Sequence, residues 1–357
     1  MKTQHIQEHA QMGSRWLVEN QAMDGNWLGL QDPKVDAFYK ASWAFRETGH
    51  PAAAHRTLNY VQRHFFTAEG DFTPRNKPSL NTVHYLYANS YLIIGSVLTH
   101  RYDLALPAVR FLLTQQAGDH GGFYSYLTAP GEKSLSDTMT AGATGIACLA
   151  AGQIDAARRV ADYLAHIISM QPAPKDCFFS TVEADGRLHT DIKEDEAFLR
   201  IVDAGKPDQC WYAVGLPFAF LVQLAIATNE TRYHDLAQWY FDFQMRCVDP
   251  WDGYSSGKAG WGCALLYRTT GEKIYRDIAL HIAENIVSWQ KADGSWRPTE
   301  KVNGGDPALK SADMDLAAEF TLWLSLISAN ILTRDSCKIP GSHVGHKWSR
   351  LFQRWRG

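Results

Sequence analysis

The stretch Gln290-Lys-Ala-Asp-Gly-Ser-Trp296 ends a helix-like segment, turns on a glycine and sets down an aromatic residue. Five other stretches follow the same scheme: Gln21-Ala-Met-Asp-Gly-Asn-Trp27, Phe66-Thr-Ala-Glu-Gly-Asp-Phe72, Gln116-Ala-Gly-Asp-His-Gly-Gly-Phe123, Gln171-Pro-Ala-Pro-Lys-Asp-Cys-Phe178, and Gln244 to Trp251-Asp-Gly-Tyr254. With Gly25, Gly70, Gly122, Cys177, Gly253 and Gly294 as markers, the intervals are 45, 52, 55, 76 and 41 residues. Spacing of this order is the signature of a repeat architecture, in which each unit buries its apolar face on its neighbours.

Two kinds of helical segment alternate between the turns. Residues 49–65, 102–115, 155–171, 233–244 and 275–290 are amphipathic; in the last, apolar residues at 275, 278, 279, 282, 286 and 289 follow the 3.6-residue period. Residues 37–48, 80–98, 137–151, 209–228, 261–270 and 316–332 are apolar or small nearly all round. A helix with no polar face is buried on every side. Six buried helices alternating with about six amphipathic ones predict an all-α protein, an (α/α)6 barrel with an inner and an outer ring. The whole chain, 1–357, reads as one such domain, with a charged insertion at 182–208 expected to form a lid or rim and a basic aromatic tail at 334–357.

Composition excludes several classes. A formal charge of −3 gives no electrostatic reason to bind nucleic acid. No signal region precedes the first turn and no run approaches a membrane span, so a cytoplasmic location is expected. The six cysteines form no CxxC pair and read as buried thiols. The oligomeric state is left open.

The Gln/aromatic-Gly-aromatic turns resemble the QW-type repeats of the terpenoid cyclase and protein prenyltransferase superfamily. The paired-helix layout is also similar to the six-hairpin glycosidases and the lanthionine cyclases. The likeness spans residues 15 to 333 and implies an α/α toroid, a fold that hosts unrelated chemistries.

Parallel inner helices bring their N-terminal ends to one mouth, where polar residues stand out against the apolar segments behind them. Candidate binding residues there are Asp36, Tyr39, Trp43, Asn81, Tyr85, Asp208, Trp211, Tyr212, Lys258 and Trp261. Candidate catalytic residues are Asp313, Asp315 and Glu319 in Ser311-Ala-Asp-Met-Asp-Leu-Ala-Ala-Glu319, together with Asp137 and His84. Asp315 and Glu319 share a helix face, and two close carboxylates in apolar surroundings drive their pKa values apart. Capping of a helix start accounts equally for Asp137, Asp313 or Asp315. Asp137-Thr-Met139 resembles a stretch of the unsaturated-uronyl hydrolases, where an Asp in that place does acid–base work. Asp208-Gln-Cys210 is similar to the zinc-binding pair of protein prenyltransferases, but no third ligand follows, so no metal is expected. No phosphate loop, dinucleotide fingerprint or Ser-His-Asp order is present, and no cofactor is expected.

Two functions fit these observations, each with a small-molecule substrate. One is a cofactor-independent cyclase or isomerase folding a terpenoid- or polyketide-like molecule in an oily well, cycloaddition included. The alternative is a carbohydrate-active enzyme, a glycoside hydrolase, lyase or epimerase with opposed carboxylates. The apolar inner helices place the cyclase first.

Overall fold

The computed structural model describes residues 3–77, 80–129, 131–297 and 311–336. Six inner helices, α2 (Ala41–Glu47), α4 (Leu86–Leu98), α6 (Thr138–Ala150), α8 (Tyr212–Thr228), α10 (Gly257–Thr270) and α12 (Ser311–Ser336), pack each on the next, and α12 returns to α2 to close the ring. Outside them lie α1 (Thr3–Glu19), α3 (Pro51–His64), α5 (Tyr102–Thr114), α7 (Ile154–Met170), α9 (Thr231–Gln244) and α11 (Lys273–Ser288). The expected (α/α)6 barrel is the observed fold. The sixth outer helix, α1, lies outside the five amphipathic segments named from the sequence; it covers α12, its partner from the opposite end of the chain.

Helix α12 starts at Ser311, so Asp313 and Asp315 sit inside its first turns and not before them. By length and hydropathy α12 is also a candidate membrane span, contrary to the expectation above. Its apolar window is 78% buried because it faces both the barrel axis and the covering helix α1. The tail expected over 334–357 continues α12 as far as Ser336, and 337–357 lie outside the described residues.

The repeated turns explain the ring. In the first, the Gln21 side chain donates to the carbonyl of Ala53 in the next outer helix; Gln116 does the same to Ala156 and Gln290 to His9. The last of these ties the end of the repeat to α1. Gly25, Gly70, Gly121 and Gly294 adopt left-handed backbone and let the turn touch that next helix. In the third turn the left-handed residue is therefore Gly121, one before the sequence marker. The fourth and fifth turns are degenerate: Gln171 folds back on the backbone of Phe179, and Gly253 has φ −83°.

A Cβ at Gly25 would lie 2.1 Å from the carbonyl oxygen of Arg56 at φ +98°, whereas one at Gly29 (φ +75°) would meet nothing. Gly25→Ala is therefore expected to cost about 3 kcal/mol and Gly29→Ala about 1 kcal/mol in thermal unfolding. Equal losses would remove the packing role assigned to the turn.

The 182–208 insertion accounts for the 76-residue interval. It joins two short antiparallel pairs, β1 (Ser136–Asp137) with β3 (Thr181–Val182) and β2 (Cys177–Phe179) with β4 (Ile201–Asp203). The register sets Asp137 opposite Thr181.

Candidate active site at the barrel mouth

The N-terminal ends of the inner helices bring together groups far apart in sequence. Lys40 precedes α2, and its ammonium lies 2.8 Å from Asp315 Oδ1 and also meets Glu319, both on α12. Lys258, in the first turn of α10, meets the other oxygen of Glu319, to which the indole of Trp323 donates over 3.0 Å. Lys40, Lys258 and Glu319 are buried, whereas the Asp315 side chain remains 30% exposed. Charges this deep persist only when paired.

The four groups do not titrate alike. Burial alone would raise the Glu319 carboxyl, but Lys258 and Lys40 outweigh it and hold it well below the usual carboxylate range. Burial raises Asp315, and the neighbouring Glu319 charge adds to this against the pull of Lys40. Burial likewise lowers Lys258, opposed by Glu319 and assisted by Lys40. For Lys40 the two carboxylates prevail over burial and raise it. Tyr39, driven up by burial and by Asp315, completes this side.

The second centre is His84 with Asp137. His84 stands at the break between the short helical turn Leu80–Val83 and α4. Its Nδ1 lies 3.0 Å from Asp137 Oδ2, and both side chains are 1% exposed. Asp137 caps α6 by accepting from the Thr140 amide at 2.8 Å, and also accepts from the hydroxyls of Thr140 (2.8 Å) and Ser125 (2.5 Å). Capping and engagement of His84 thus coexist in one carboxylate. Burial would raise it, but His84 and these donors hold it below the usual range. Among the described residues neither nitrogen of buried His84 completes a well-aligned hydrogen bond: Nδ1 has Asp137 at 3.0 Å, and Nε2 has no partner. The ring of Tyr212 is 6.4 Å away and links this centre to Lys258, whose ammonium lies 5.7 Å from the same ring.

The remaining residues named from the sequence divide. Asp36 accepts from the Asn76 amide and the Asn81 side chain, tying the loop before α4 to the turn that precedes α2. Tyr85 donates to Asp71 over 2.5 Å and lies under the Arg75 guanidinium at 3.7 Å. Arg75 also donates to the carbonyls of Asn81 and Tyr85, so His84 is flanked on both sides by clamped backbone. Asp313 is fully buried in α12. Asp208 is exposed on a loop at φ +54° and does not join the site. Trp211 packs against Gly253 within the wall.

Nor is the oily well open. Trp43 and Trp261 lie on the barrel axis with Trp323 and Tyr91, at ring separations of 5.6 to 6.5 Å, and fill it. Six apolar helices contribute enough large rings to pack the centre, which leaves a polar layer at the mouth above an aromatic floor. Lys40, Asp71, Arg75, Tyr91 and Trp323 are the participants that sequence reasoning missed. Lys40 carried a usable signal, a lone cation within an otherwise apolar helix start.

No protein-family model matches this chain, and no curated protein matches its sequence. Solved structures do match its shape. A D-mannose isomerase superposes with TM-score 0.65 at 14% identity, covering 90% of this chain and 97% of the other. A family 76 glycoside hydrolase, an α-mannanase from Bacteroides thetaiotaomicron, gives 0.62 at 12% identity over 92% and 96%. The α-1,6-mannanase of Salegentibacter sp. HEL1_6 gives 0.61 at 12% identity over 91% and 99%. Likeness at these identities establishes the fold alone, an α/α toroid. The terpenoid cyclase resemblance finds no support in these matches.

Proposed function

We propose that this protein is a carbohydrate isomerase or epimerase that moves a proton on the carbon beside a sugar carbonyl. The observation that carries the reading is the buried His84 Nε2, free of any acceptor or donor among the described residues, with Asp137 behind Nδ1. A base whose far nitrogen is oriented by a locked carboxylate presents its other nitrogen to substrate. Lys40, held charged by two carboxylates, supplies positive charge for the enediolate that proton removal creates. The similarity to a D-mannose isomerase supports this choice within the carbohydrate-active class. Glycoside hydrolysis by opposed Asp137 and Asp315 fits less well, because the ionised Asp137 would have to act as nucleophile or base, yet its side chain is 1% exposed and both of its oxygens already accept hydrogen bonds within the protein. The cyclase reading has neither an open well nor a structural likeness behind it.

Incubation with D-mannose, D-fructose, D-glucose and related aldoses and ketoses in D2O tests the proposal. Proton NMR is expected to show loss of the C2 hydrogen and a new isomer. A panel with neither exchange nor product would sink it.

A further inference from the structure

We infer that Lys258 is a nucleophilic amine that condenses with the carbonyl carbon of an open-chain hydroxyaldehyde or hydroxyketone. The inference goes beyond the proton transfer assigned to His84 and does not depend on it. Lys258 lies in the first turn of α10, buried, with its ammonium 5.4 Å from the Trp323 ring and 5.7 Å from that of Tyr212. A second ammonium, Lys40, shares the same carboxylate, one lysine on each oxygen of Glu319. Three features disfavour a proton on Lys258: desolvation, a neighbouring cation, and the positive end of the α10 dipole. Glu319 opposes them, and its charge is divided between two lysines.

The groups facing Lys258 complete the chemistry. Glu319 and Asp315 come from α12, Lys40 from the start of α2 and Tyr212 from α8. Of the two carboxyls, Asp315 is raised and reaches solvent, whereas Glu319 is firmly ionised. The amine and the acid whose neutral forms burial favours are therefore Lys258 and Asp315. In the step, the Nζ lone pair forms a bond to the carbonyl carbon and the oxygen takes the Asp315 proton. The nitrogen then gives up one proton to the Asp315 carboxylate, which passes it to the hydroxyl; the C–O bond breaks, water leaves and an iminium remains on Lys258, a group that acidifies the adjacent C–H without any oxidant or reductant.

Reductive trapping of the intact protein tests this. Dihydroxyacetone and sodium cyanoborohydride at neutral pH, followed by peptide mapping, are expected to modify Lys258 at least about tenfold more than exposed Lys133 and Lys206. Lys40→Met should cut the Lys258 adduct about tenfold by returning all of the Glu319 charge to one lysine. Labelling of Lys258 no faster than of Lys133, or unchanged by Lys40→Met, would overturn the inference. Trapping is read by mass alone, so it answers separately from the sugar-exchange assay.

Discussion

His84→Gln is expected to lower kcat for sugar isomerisation by about 1,000-fold with KM nearly unchanged, as loss of a positioned acid–base group does. Glutamine keeps much of the volume and polarity of the ring, and its side-chain amide can still donate to Asp137, so thermal stability should fall by only about 1 kcal/mol. Asp137→Asn is the sharper companion. Its amide would present a donor toward His84 Nδ1 and fix the wrong tautomer, an effect worth about 100- to 10,000-fold. It also removes an acceptor for Thr140 and Ser125, so a loss of about 1 kcal/mol in stability accompanies it. Because burial is outweighed and the folded pKa of Asp137 is depressed, its carboxylate stabilises the fold above the unfolded carboxyl pKa, and this is lost as pH falls through the folded value. The pH profile of stability should therefore lose part of its acid limb in Asp137→Asn. Retention of isomerase activity in His84→Gln within about tenfold would remove His84 from the chemistry.

Far more of the fold than of the site is legible in the sequence. The Gln290 turn and its closest copies encode ring closure directly, because Gln21, Gln116 and Gln290 each reach one carbonyl of the next outer helix, a local device kept in three of the six turns. Helix α1 escapes because its partner α12 is at the far end of the chain. The carboxylates are visible as polar residues in apolar helices, but their roles are not. Whether Asp137 is an acid or an orienting anion depends on Ser125 and Thr140, one of them on another loop, and no spacing rule anticipates that contact. Asp208 illustrates the reverse: it has the right neighbours in sequence, yet the backbone at that point turns it outward. Trp43 and Trp261 were legible as mouth aromatics, but only three-dimensional packing shows that they meet Trp323 and close the axis.

Glu319→Gln should be the most destabilising single change at the mouth. Among the described residues Glu319 is the one carboxylate touching both lysines, so its neutral isostere leaves Lys258 buried with none of their anions in contact and Lys40 with Asp315 alone. Breaking a buried pair in this way costs about 3–5 kcal/mol. Unfolding entropies near 2.1 cal/mol/K per residue translate that into a fall in Tm of about 5 °C for a chain of this length. The sign of the pH dependence follows from the same contacts. The folded pKa of Glu319 lies below its unfolded value, so its stabilisation is complete above about pH 5 and fades as acid approaches the folded pKa. The wild-type protein should therefore lose stability on acidification faster than Glu319→Gln, and their Tm values should converge at low pH. Adding Lys258→Met to Glu319→Gln removes the stranded cation and should recover about half of the loss, a non-additivity that a double-mutant cycle measures. A Glu319→Gln protein melting within about 1 °C of wild type at neutral pH would mean that solvent, and not Glu319, carries the lysine charges.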